Sequence, residues 1–217
     1  MHGYWAQFLK IAAAHMLAVA SPGPDFAMVV RQSLAHGRRA AVWTSIGVGS
    51  AILLHVCYAV LGIGLLLRGS PVAFTAVKFA GAAYLAWIGF KALRAQPSAE
   101  MAEVPPGSAP ELAAPGEPGP RSAWVTGFLT NALNPKVTLF MVAMYASLID
   151  PLTPRLIQSA YGLWMSLATM AWFSMVSLFI TREPVRRAFL RCGVWIDRVM
   201  GLVLIALAVA LALATAR

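Results

Sequence analysis

Long apolar runs separated by short polar punctuation set the pattern of this chain. A bilayer core takes about 20 apolar residues per helix, and six stretches approach or exceed that length: about Trp5 to Val30, Ala40 to Leu67, Val72 to Phe90, Ala123 to Ile149, Leu156 to Ile180 and Val199 to Ala214. The punctuation has turn chemistry. His36-Gly37-Arg38-Arg39 places a glycine where a helix ends. In Arg68-Gly69-Ser70-Pro71, Ser70 is the expected N-cap and Pro71 the first helical residue. In Asp150-Pro151-Leu152-Thr153-Pro154, Thr153 is the expected cap of the fifth run. Residues 182–198 carry Arg182, Arg186, Arg187, Arg191 and Arg198, with Val185, Phe189, Cys192 and Ile196 recurring on another face. That reads as an amphipathic stretch at the membrane surface leading into the last run.

Two of the runs contain residues that an apolar helix ordinarily excludes. Ser21-Pro22-Gly23-Pro24-Asp25 interrupts the first, and Asn134-Pro135-Lys136 the fourth. Proline removes a backbone donor and clashes with the preceding turn, and a charge at membrane depth costs roughly 3 kcal/mol on insertion scales. Lys10, the apolar residues from Ile11 and Ala18-Val19-Ala20 mimic a cleavable leader. The apolar pattern resumes at Phe26 and runs to Val30, so the stretch reads better as one broken spanning segment. Paired broken helices in corresponding positions of two halves point to a transporter binding site.

Composition sharpens this picture. Of 217 residues, 59% are hydrophobic and 12% charged, against about 25% charged in soluble domains. The expected fold is an all-α membrane protein with six transmembrane helices, helices 1 and 4 broken at Pro-Gly-Pro and Asn-Pro. Residues 95–121 are rich in Pro, Ala, Gly and Glu and read as a flexible cytoplasmic linker between three-helix units at 1–94 and 122–217. Three spans per half make the repeat inverted. The loops after spans one, three and five hold eleven Lys or Arg residues and the opposite side four. Both termini are therefore expected outside. The net charge of +9 lies in these loops, which excludes nucleic acid as the partner. Cys57 and Cys192 are far apart in the pattern and form no metal or redox motif.

The breaks supply the candidate chemistry. A half-helix starting after Gly23 has Pro24 first and Asp25 behind it; one starting after Asn134 has Pro135 first and Lys136 behind it. Helix starts offer free N–H groups and a positive dipole end, which suit a carboxylate. Asp25 and Lys136 take equivalent positions if the halves are related by a pseudo-twofold axis. They meet there as a pair, or hold opposite ends of a zwitterion. Asn131 and Asn134 lie about one turn apart and can hydrogen-bond a polar ligand. His15 and His55 are at membrane depth, as proton sites or as packing histidines, and Lys78 lies within span three. Gly81, Ala82 and Ala83 give span three a small face for helix packing. Ser21 and Asp25 on opposite sides of a broken helix make no nucleophile–base set, so no enzyme is expected.

Ser21-Pro22-Gly23-Pro24-Asp25-Phe26, Arg31-Gln32-Ser33-Leu34 and Gly37-Arg38-Arg39-Ala40-Ala41 resemble the opening of the LysE/RhtB amino acid exporters. Residues from Lys78 to Gly89 resemble their third span, and Phe128 to Lys136 their fourth. The resemblance covers nearly the whole chain in the same order. It implies six spans, a bacterial inner-membrane location, export of an amino acid or close derivative driven by protons, a homodimer in membrane lipid, and no cofactor. The substrate site read from the two breaks is Gly23, Pro24, Asp25, Asn131, Asn134, Pro135 and Lys136, with proton coupling at Asp25, His15 or His55. The alternative is a cation or metal exporter of the wider superfamily, using Asp25, His15, His55 and Cys57. The motifs do not choose among amino acids.

Overall fold

The protein is described by a computed structural model covering residues 2–69, 71–94, 118–150, 152–180 and 182–213, with the side chains of 2, 62–69, 71, 73–74, 76–78 and 183–191 outside the description. Most of the expected linker, the Ser70 cap, the Lys78 side chain and most of the basic face of 182–198 therefore lie outside the described residues. Among the described residues all regular structure is helical: α1 (His2–Ala20), α2 (Pro24–Gly69), α3 (Pro71–Leu93), α4 (Pro120–Ala132), α5 (Pro135–Leu148), α6 (Arg155–Phe179) and α7 (Glu183–Leu213). Among the described residues, three stretches, Pro24–Leu61, Arg155–Phe179 and Cys192–Leu213, are long and apolar enough to cross a membrane, and Phe79–Leu93 and Pro135–Leu148 are shorter apolar helices.

Helix ends follow local chemistry. Ser21 N–H closes the last turn of α1 on the Leu17 carbonyl at 3.1 Å, and Ala27 N–H opens α2 on the Gly23 carbonyl at 2.9 Å. Between α4 and α5, Asn134 is extended at φ −78°, ψ 107°, the backbone that a following proline enforces. Its Oδ1 caps α5 by accepting from Lys136 N–H at 3.0 Å. Gly37 stands inside the long α2 at φ 78°, ψ 176°, a conformation essentially reserved for glycine. It lets the helix that begins at Pro24 change direction before continuing through the second apolar run.

One expectation at a helix end is corrected. Thr153 does not cap α6: the N-cap is Pro154, with no side-chain cap bond. The Thr153 hydroxyl instead donates to Gln7 Oε1 at 3.1 Å, tying the turn to α1, while Asp150 Oδ1 receives Leu152 N–H at 2.8 Å. The stretch 182–198 leads into the last apolar run without interruption, as α7 runs from Glu183 to Leu213.

Lipid tails are as apolar as leucine, so helices in a membrane associate through close packing and interhelical hydrogen bonds. Here α2 packs along α4 and α6, and α3 along α7. Ser166 on α6 donates to the Gly49 carbonyl at 2.7 Å, Ser33 on α2 to the Ser177 carbonyl at 2.9 Å, and Thr44 to the Ala123 carbonyl at 3.2 Å. Glycines form the closest seams. A Cβ on Gly127 would overlap the Thr44 carbonyl oxygen, and Gly89 and Gly201 would each collide with the other's backbone. Phe140, Met141, Met144, Met165, Met200 and Leu204 fill one core; Phe26, Val29, Val48 and Phe173 fill a second beside it.

The glycine seam gives the first prediction. Overpacking costs about 1–3 kcal/mol, so Gly127→Val lowers the thermal unfolding midpoint in detergent by several degrees. Gly3→Ala, where a Cβ meets nothing within 4 Å, leaves it unchanged. Equal midpoints for both variants would show that the α2–α4 approach does not limit stability.

Candidate functional site

Both breaks open on one cavity of about 50 Å³. Of the residues singled out from the sequence, Gly23, Pro24, Asp25, Asn131, Asn134, Lys136 and His15 line it. Pro135 and His55 do not. Ser21 and Thr169 add hydroxyls to the wall, and the rest of it is apolar and includes Ile52, Val137, Phe140, Met141, Phe173 and Met200.

Asp25 is held by two amides from the other break. Asn131 Nδ2 donates to its Oδ2 at 2.9 Å, and Asn134 Nδ2 to the same oxygen at 3.3 Å. The orientation of each amide is set by what its own oxygen accepts. Asn134 Oδ1 is engaged by Lys136 N–H. Asn131 Oδ1 lies 3.1 Å from His55 Nε2, as does the Asn131 carbonyl. Both are acceptors, so His55 Nε2 carries the proton and donates; its Nδ1 then accepts from Tyr58 Oη. A relay of Tyr58, His55 and Asn131 therefore aims an N–H at Asp25. The second oxygen, Asp25 Oδ1, is buried with no hydrogen-bond partner among the described residues. A buried acceptor left open in this way costs about 1–3 kcal/mol, and a donor from a ligand would satisfy it.

Lys136 does not bond Asp25. Its Nζ donates to Ser21 Oγ at 2.9 Å, and Ser21 Oγ donates onward to Asp197 Oδ1 at 2.8 Å. Asp197 comes from α7. His15, 2% exposed, has Nε2 within 3.1 Å of the Met165 carbonyl and 2.9 Å of Thr169 Oγ1, so that nitrogen also donates. Cys57 and Cys192 are free and exposed. Among the described residues, no group of three or more His, Cys, Asp or Glu is placed to hold a metal ion.

Two residues of this cluster escape the sequence pattern. Ser21 is visible there only as part of the break, and Asp197 sits in a segment dominated by arginines. The signal for Asp197 is helical length. At 1.5 Å per residue it lies about 21 Å along α7 from Glu183, level with Ser21 of the first break.

The family model described as LysE type translocator matches residues 16–215. The chain belongs to the LysE-type translocator family. This translocator is 27% identical over 194 residues to the threonine efflux protein of Escherichia coli (strain K12), covering 89% of this chain and 91% of that one. It is 28% identical over 214 residues to the leucine efflux protein of Klebsiella pneumoniae, covering 94% of each. It is 29% identical over 155 residues to the homoserine/homoserine lactone efflux protein of Salmonella typhimurium, covering 71% of this chain and 69% of that one. No solved structure matches the translocator. The matched region contains both breaks, every cavity-lining residue except His15, and Asp197.

Proposed function

We propose that this translocator exports an amino acid or close derivative across the bacterial cytoplasmic membrane in exchange for protons. The observation that carries the reading is one cavity holding an acceptor and a cation apart. Asp25 keeps one carboxylate oxygen open, while Lys136 presents its ammonium from the start of α5. A zwitterion has the complementary ends. Its ammonium group takes Asp25 Oδ1, and its carboxylate takes Lys136 and the N-terminal end of α5. Asn131 and Asn134 hold Asp25 in place, and the apolar wall takes the side chain. When the substrate has left, a proton replaces it on Asp25. One carboxylate serving either proton or substrate makes the two compete, as antiport requires. The efflux activities named for the relatives support the same substrate class.

The frame for this cycle is six crossings in two opposed halves, 1–94 and 122–217, with both termini outside, the 95–121 linker in the cytoplasm and two chains associated in the lipid. The basic residues of the loops after spans one, three and five support the orientation. A metal or other cation exporter is less well supported, because the single cavity carboxylate stands beside a lysine ammonium, which repels a cation.

The test is export of radiolabelled amino acids from cells expressing the protein. Cells loaded with threonine, homoserine, leucine or another proteinogenic amino acid lose at least one of them faster than cells carrying the empty vector. Equal loss across the whole set overturns the reading.

A further inference from the structure

Asp197 has no part in the cycle so far. It does not line the cavity but lies behind it, accepting from Ser21 Oγ while Ser21 accepts from Lys136. Its helix neighbour Arg198 is exposed and places its guanidinium over the Trp195 ring, 5.4 Å from the centroid. The backbone is fitted to the contact: a Cβ on Gly193, one turn earlier on α7, would come within 3.3 Å of Pro22 Cγ. Thus α7 is pressed against the first break where Ser21 bridges a cation and an anion.

Building on the exporter reading, we propose that Asp197 is the counter-ion of Lys136 in the empty carrier, acting through Ser21, and that it allows the empty site to return across the membrane. Charges at the site decide the matter. In the empty, proton-loaded carrier Asp25 is neutral, and Lys136 retains its positive charge. Asp197 cancels that charge, so the returning site is neutral. With the zwitterion bound, Asp25 is charged and paired with the substrate ammonium, and the substrate carboxylate shares Lys136 with Asp197, which leaves one net negative charge at the site. Asp197 therefore competes with substrate for one cation, favouring release, and completes the half-cycle in which nothing but a proton is carried. Exchange of one substrate molecule for another never visits that empty state.

The experiment separates the two modes in proteoliposomes, using radiolabelled threonine, homoserine and leucine as probes. Asp197→Asn retains counterflow, in which external labelled amino acid exchanges for unlabelled amino acid inside. Its net efflux down a pH gradient falls by about tenfold or more, because an unpaired ammonium at membrane depth is strongly disfavoured. Ser21→Ala, which leaves the empty site neutral but removes the hydroxyl that joins the two charges, moves the same ratio in the same direction by a smaller factor, and carries the test if Asp197→Asn does not accumulate. Retention of both modes in the variants overturns the assignment. Equal loss of both in folded protein also overturns it, since Asp197 would then serve substrate binding. Absence of counterflow in the unmodified protein with all three probes defeats the exporter reading itself, a distinguishable result.

Discussion

Proteoliposomes carrying Asp25→Asn lose pH-driven efflux while the protein keeps its fold. Asparagine matches aspartate in shape and still offers an oxygen to Asn131 and Asn134, so the contacts of 2.9 and 3.3 Å have an acceptor. It has no charge for an ammonium group and takes no proton. Removing one partner of a buried charge pair costs about 2–5 kcal/mol, roughly 30-fold to several thousand-fold in affinity. Both the pH-driven rate and the response to reversing the gradient vanish together. Thermal unfolding in detergent shows whether the variant is folded. If Asp25→Asn exports at full rate under a proton gradient, Asp25 is only a partner of the α2 dipole. Coupling then moves to His15, which lines the cavity, or to His55.

The second large effect belongs to Lys136. Lys136→Met keeps a long flexible side chain and removes the ammonium group, so Asp25 and Asp197 face each other with no cation between them. Amino acid binding weakens by about 100-fold, the scale expected when a buried charged partner is lost. A substrate analogue identifies the cause. The carboxamide of the best substrate has no carboxylate, so it binds weakly to the unmodified protein and equally weakly to Lys136→Met. Binding is read by scintillation proximity on purified protein. If the variant still prefers the amino acid over its amide, Lys136 does not hold the carboxylate, and the N–H groups at the start of α5 do so alone.

What the sequence discloses about this fold depends on how local each cause is. Proline and glycine act on their immediate neighbours, so the residues that stand out at 21–25 and 134–136 are also those between α1 and α2 and at the start of α5. Apolar runs disclose the helices, and membrane character and family follow from them together with the motifs. The bond pattern is not local. Nothing in the spacing says that Asn131 is oriented by His55 from α2, or that Lys136 turns to Ser21 rather than to Asp25. Asp197 is hidden for a different reason: in a segment with five arginines, a charge is read as part of a solvated face. Thr153 shows the same limit on a small scale, since its hydroxyl is drawn to Gln7 on a distant helix rather than to the helix it precedes.

The bond between Asn131 and Asp25 joins residues 106 apart in the chain, and that between Ser21 and Asp197 joins residues 176 apart. A ribosome adds roughly 5–20 residues per second, so Asp25 waits about 5–20 s for its amide and Ser21 about 9–35 s for its acid. The first helices must therefore enter the bilayer on their apolar content alone, with a carboxylate not yet answered. The polar cluster is assembled last in biogenesis, when α7 arrives. A nascent chain stopped before Asp197 holds Lys136 and Ser21 without the acid behind them.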